Sequence, residues 1–205
     1  MNTVTRITLG MIFTVAAIPL LIYSFSPSSI NMGTSKIVTI AIAASSDPQT
    51  FMNMTEVERF QAAANMSQEE NQMIMNEFSK QNVIIDENMS LPVNPEDTNK
   101  SIAGNFMSAG DGFHHVEGVA KVINLQDGRN LLRLENLKST NGPDLYVYLS
   151  TDRGVSDFVN LGRLKGNIGN QNYEVPAGTD LTKYDTVLIW CRAFSTLFGS
   201  ANLST

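Results

Sequence analysis

The chain contains a single cysteine, Cys191, in 205 residues. One cysteine forms no internal disulfide and builds no Cys-rich zinc site. Positive charge is also short: 14 Lys and Arg stand against 20 Asp and Glu, a net charge of −6. That balance argues against nucleic acid as a partner, because phosphates call for a basic patch. The shortage is uneven. Residues 26–100 hold Lys36, Arg59, Lys80 and Lys100 against ten acids, a net of −6, whereas residues 101–205 hold nine cations against ten acids, a net of −1. The C-terminal half is thus nearly neutral, has no covalent staple, and must be held by its own hydrophobic core. A chain of this length allows one or two domains.

Several motifs are missing. There is no C-x-x-C-H, so covalent haem attachment of that kind is excluded. No G-x-S-x-G marks a hydrolase nucleophile. Residues 165–170, KGNIGN, are rich in glycine, yet no Lys-Ser/Thr pair and no helix follows, so they read as a turn and not as a phosphate loop. A cupredoxin-type copper centre needs a His and usually a Met soon after its cysteine. The chain after Cys191 reads RAFSTLFGSANLST, with neither. Asp144, in NGPDLYVYL, reads as a turn or backbone-capping acid and not as a base.

Residues 7–25, ITLGMIFTVAAIPLLIYSF, carry no charge over 19 residues. That is close to the ~20 residues that cross a ~30 Å hydrocarbon core, and Pro19 is tolerated in such a helix. Arg6 precedes the run and the next cation is Lys36, so the positive-inside rule leaves the rest of the chain outside. The alternative is a cleaved secretory signal. Ser24-Phe25-Ser26 is a poor cleavage site, and Ala41-Ile42-Ala43 lies far down the chain. Both readings export the remainder, as a membrane-anchored extracytoplasmic protein or as a secreted one. A second apolar run, residues 37–44, is too short to span.

Residues 26–100 read as an acidic, Met- and Asn-rich helical spacer and linker. Helix is expected over 47–81, in two pieces broken near 65–67, where Ser67-Gln68-Glu69-Glu70 forms a capping-box start. Val57, Phe60, Ala63 and Ala64 give the first piece an apolar stripe. Met73, Met75 and Phe78 give the second its apolar positions. Together with Met52, Met54 and Met66 these methionines raise a copper(I) reading, because thioethers are soft ligands. Their spacing is irregular, and Met commonly fills helix faces. Residues 83–85 suit a short strand, and Pro92 and Pro95 mark a linker. Asn53, Asn65, Asn88, Asn99 and Asn202 each begin an N-x-S/T sequon, a candidate glycosylation site in an exported chain where the host has the machinery.

From residue 101 the pattern changes to short apolar runs between Gly, Asn and Asp turns. Strands are expected over 115–124, 130–137, 144–150, 158–164, 171–175, 186–194 and 197–203. Asp127-Gly128 marks a hairpin between the first two. This spacing predicts an all-β domain over 101–205, an antiparallel β-sandwich. The run around Cys191, YDTVLIWCRAF, has no helix cap and reads as a central strand buried on both faces. Alternation puts Val187, Ile189, Cys191 and Ala193 on one face, and Leu188, Trp190, Arg192 and Phe194 on the other. The sulfur is then shielded from water. A working thiol or ligand needs something to offset that shielding, and the only two histidines, His114 and His115, open the first strand of the same domain. Thiolate plus imidazole suits copper, iron or haem. Otherwise Cys191 is a small core residue and the histidines are exposed strand ends.

FHHVEGVAKV (113–122), LLRLENL (131–137), NGPDLYVYLS (141–150), LGRLKGNIGNQNYEVP (161–176) and YDTVLIWCRAFSTLFGSANL (184–203) occur in an order that resembles the DM13 domain, a small extracytoplasmic all-β module. In that family the cysteine matching Cys191 is characteristic. The resemblance implies an electron-transfer role, with Cys191 as a bare thiol or as ligand to a group such as haem; in an anchored chain, a redox partner in the membrane is then expected. The first hundred residues lie outside it. Two functions follow: a membrane-anchored redox module working through Cys191, or a ligand- or protein-binding sandwich held off the membrane by the acidic stalk, with Cys191 structural.

Overall fold

The structure, a computed structural model, describes residues 47–89 and 102–204. The expected anchor at 7–25, the run at 37–44 and the linker around Pro92 and Pro95 lie outside these residues. Among the described residues no helix is long and apolar enough to cross a membrane.

The C-terminal part folds as two packed antiparallel sheets, built from β1 (Ala103–Asn105), β2 (Met107–Ser108), β3 (Val116–Asn124), β4 (Asn130–Ser139), β5 (Leu145–Ser150), β6 (Phe158–Arg163), β7 (Ile168–Val175), β8 (Thr186–Cys191) and β9 (Thr196–Asn202). One sheet has the order β1-β3-β4-β7, the other β2-β9-β8-β5-β6. The seven expected strands are all present. The two short strands before β3 were not foreseen, because three and two residues are too few to show alternation. They carry the chain from one sheet to the other: Ala103 bridges Ser204, and Met107 pairs with Ser200.

The core lies between the sheets. Ala120, Val122, Leu132 and Leu134 face Val147, Leu149, Val187, Ile189 and Cys191 across it. The outer face of the second sheet is covered too: Tyr146, Tyr148 and Leu188 are buried, with Val155 and Trp190 packed on them. So β8 is buried on both faces, as the continuous apolar run requires.

One expectation about this run is corrected. The strand ends at Cys191 and does not continue to Phe194. Residues 192–195 form a tight turn, with Ser195 at φ 48° in the left-handed region and Ser195 N–H donating to Arg192 C=O at 3.3 Å. Ala193 and Phe194 therefore sit in a turn, outside the alternation of the strand.

Residues 47–79 form three helices, not two: α1 (Pro48–Asn53), α2 (Glu56–Asn65) and α3 (Gln68–Ser79). Thr55 with Glu58, and Ser67 with Glu70, make reciprocal capping boxes at the starts of α2 and α3. The box at Ser67 matches the expected break; the one at Thr55 splits off α1. The expected stripe on α2 is also corrected. Its buried residues are Arg59 and Ala63, while Val57 and Phe60 are 65% and 50% exposed. Hydropathy misreads this helix because Arg59 finds a buried carboxylate, which offsets the cost of removing its charge from water.

These helices pack against the sandwich. Phe51 stacks on Phe194 with ring centroids 5.6 Å apart, and Met75 joins the main core. Met54 and Met66 pack around Phe51, whereas Met73 is exposed. Beyond α3, residues 83–87 lie along the edge strand β7: Ile84 forms a parallel bridge with Ile168, and Ile85 N–H donates to Ile168 C=O at 2.9 Å. Gly169, at φ 109°, makes this approach possible, because a Cβ there would lie 2.1 Å from Ile85 O.

Candidate functional site

Cys191 ends the central strand β8, paired with Leu145 of β5 and Thr196 of β9. It has no exposure and belongs to the main core with Val187 and Ile189. Burial pushes its thiol up to about 12. The N–H groups of Phe194, Asp144 and Ala193 act the other way, pulling it down, and the negative charge of Asp144 adds to the rise. Phe194 and Ala193 belong to the turn at 192–195, and Asp144 immediately precedes Leu145, the β5 partner of Cys191.

Directly beside the cysteine stands a charged cluster. Asp144 is fully buried, and three arginines converge on it: Arg59 Nε at 3.3 Å, Arg163 Nη1 at 3.3 Å and Arg192 Nε at 3.2 Å. Glu56 accepts from the Tyr146 hydroxyl and from Arg192 Nη1 at 3.0 Å. These two donors hold its carboxyl below the usual range. The Arg192 guanidinium lies over the Tyr146 ring, 4.6 Å from its centroid. Burial and the Glu56 contact raise the Tyr146 phenol well above its ordinary value. Two carboxylates thus face three guanidiniums. Asp144 is a buried ion-pair hub, a role beyond the turn acid that the sequence indicates. The only signal for it was indirect: Arg192 interrupts the apolar run VLIWCRAF, at a position where a charge needs a partner.

The two histidines part company. His115 is exposed, and its backbone N–H donates to Thr140 Oγ1 at 3.0 Å. His114 is buried against Phe198, centroids 4.2 Å apart, and meets the Phe113 ring edge-on. Its Nδ1–H donates to Asp111 Oδ2 at 2.5 Å, and Asp111 also accepts the N–H groups of Phe113 and His114. Nε2 is buried without a hydrogen-bond partner. His114 reaches the main core through Phe198.

These surroundings do not fit a thiolate-ligated haem or metal at Cys191. Such a ligand needs a sulfur with one side open to the group, and here the sulfur is enclosed by core side chains. Among the described residues no group of three or more His, Cys, Asp or Glu is placed to hold a metal ion. His114 Nε2 is a single donor walled by phenyl rings. What the arrangement does offer is one buried thiol at the end of the central strand, next to a carboxylate–arginine hub.

Residues 106–203 match the family model described as Electron transfer DM13. Comparison with curated proteins and with solved structures gave no match.

Proposed function

With residues 106–203 a DM13 domain, we propose that the chain is an extracytoplasmic electron-transfer module, held at the membrane by residues 7–25 and exchanging electrons with a membrane partner through Cys191. The setting of the sulfur carries this reading. The chain's one thiol ends the central strand beside the buried Asp144–arginine cluster, and the N–H groups of Phe194, Asp144 and Ala193 oppose the rise that burial imposes on it. Such fixed dipoles favour negative charge on sulfur and oppose the effect of burial. An electron needs no open channel to reach a buried atom, so enclosure does not by itself bar the role.

The test is Cys191→Ala in the purified protein, read by electron-transfer activity and absorption spectrum. Loss of the activity with the fold intact is expected. Retention of both refutes a redox role for this cysteine. The anchoring is tested by adding protease to intact cells, which should release the C-terminal domain. Digestion only after lysis refutes the topology.

A second reading rests on the complete burial of Cys191 and on a thiol pushed up to about 12. It makes the cysteine structural and the sandwich a ligand- or protein-binding module. Under it, Cys191→Ala alters stability alone.

A further inference from the structure

Cys191 is enclosed between the sheets, and part of the cover at its end of the core comes from outside the DM13 segment. The matched segment is 106–203, but the turn that follows the cysteine is covered by residues 47–79. Phe51, fully buried, stacks on Phe194. Ala193 shares a cluster with Phe51, Ala63, Ile74 and Phe78. Met75 reaches into the main core, the cluster to which Cys191 and its strand partner Leu145 belong. On the flank, Glu56 takes Arg192 and Tyr146, and Arg59 takes Asp144. A cleft of about 180 Å³ remains at the join, lined by Met52, Phe78 and Arg59 on one side and by Gly142, Leu145 and Arg163 on the other.

We infer that residues 47–79 are a detachable cover over Cys191, and that access to the thiol is set by the docking of this helical arm. The inference rests on the reading of Cys191 as the working group and adds its regulation. The fastening is suited to release. The helices of 6, 10 and 12 residues are too short to be stable in water by themselves, so undocking and local unfolding are one event. Part of the latch is ionic and half-exposed, since the Glu56 side chain is 48% accessible. The sandwich keeps its own ladders when the arm leaves, because no strand of either sheet is drawn from 47–79. The apolar character of the turn also fits a cover: Ala193 and Phe194 would be a poor choice for a turn that always faced water.

The test is the rate at which a maleimide labels Cys191 in the full chain under native conditions. The chain has one cysteine, so the signal is unambiguous. Amide exchange in β8 and β9 is followed in parallel. Phe51→Ala is expected to raise the labelling rate about a hundredfold, from the loss of a fully buried phenyl. Glu56→Gln should raise it about two- to fivefold, the weight of a half-exposed ion pair. Phe60→Ala, on the exposed face of α2, should leave it unchanged. All of this should occur with β8 and β9 amides as protected as in the wild type. A wild-type labelling rate in Phe51→Ala overturns the inference. So does a rise that appears only in step with exchange in β8 and β9, because the thiol is then reached by global unfolding. Should Phe51→Ala fail to fold, Glu56→Gln decides by the same criteria. Failure of the redox reading is separate: it would show as activity kept by Cys191→Ala, whatever the labelling rates.

Discussion

Asp144→Asn is the substitution that the structure ranks as most damaging for its size. The side chain keeps its shape and loses one charge at a site with no exposure. Asp144 Oδ1 lies 3.3 Å from both Arg59 Nε and Arg163 Nη1, and Oδ2 lies 3.2 Å from Arg192 Nε. With Glu56, the cluster already holds one more positive than negative charge; the substitution doubles that excess. Arg163 and Arg192 are 45% and 28% accessible and can turn toward water, but Arg59 is 7% accessible and cannot. Breaking a buried pair in this way costs about 3–5 kcal/mol. That is a large share of the ~5–15 kcal/mol of an ordinary domain. Melting should fall by about 6–20 °C. Glu56→Gln touches the same Arg192 from a half-exposed position and should cost only about 0.2–1 kcal/mol. Urea unfolding with an unchanged m-value is the measurement. A loss under about 1 kcal/mol in Asp144→Asn would refute the view that this carboxylate compensates Arg59. A double variant supplies the check: Arg59→Met with Asp144→Asn should recover part of the loss, because the stranded charge is gone.

Cys191→Ser should destabilise the sandwich by about 1–3 kcal/mol, as a hydroxyl replaces sulfur at a site with no exposure; a stabilised protein in the same denaturation assay would contradict the packing described. The Asp111 carboxyl, whose burial is outweighed by the His114 ring and by the His114 and Phe113 N–H groups, is lowered from 3.8 to about 2. Because it is depressed in the fold, its contribution is complete above the ordinary value and disappears as pH falls through about 2. Carboxyl NMR should place the midpoint near 2, and a midpoint at 3.8 or above would rule out the Asp111–His114 bond. Gly169→Ala should push residues 83–87 off the edge of β7, since the new Cβ would lie 2.1 Å from Ile85 O. Amide exchange at Ile85 and Glu87 should then rise while β4 stays protected; unchanged exchange would mean that the edge tolerates a side chain there.

The sequence by itself determined the sandwich. Its strands are short apolar runs bounded by turn residues, and that signal is local: Gly128, at φ 82°, makes the hairpin turn where Asp127-Gly128 indicates one. The burial of β8 on both faces was legible because a run such as TVLIWC leaves no polar side. The match to the DM13 family model over residues 106–203 was legible for the same reason, since the motifs that carry it lie along the strands. Contacts between distant segments were not. Nothing near Asp144 in the chain announces three arginines, and nothing in α2 announces that Arg59 turns inward while Phe60 turns out. Hydropathy ranks each residue alone, whereas a buried charge is stable only in relation to a partner elsewhere in the fold. The end of β8 shows the same limit. An apolar turn and an apolar strand look alike until the element that covers the turn is known, and Phe51, which covers Phe194, comes from the helical arm. Only the tertiary structure decided that residues 47–79, which read as a spacer, fold back over the turn that follows Cys191.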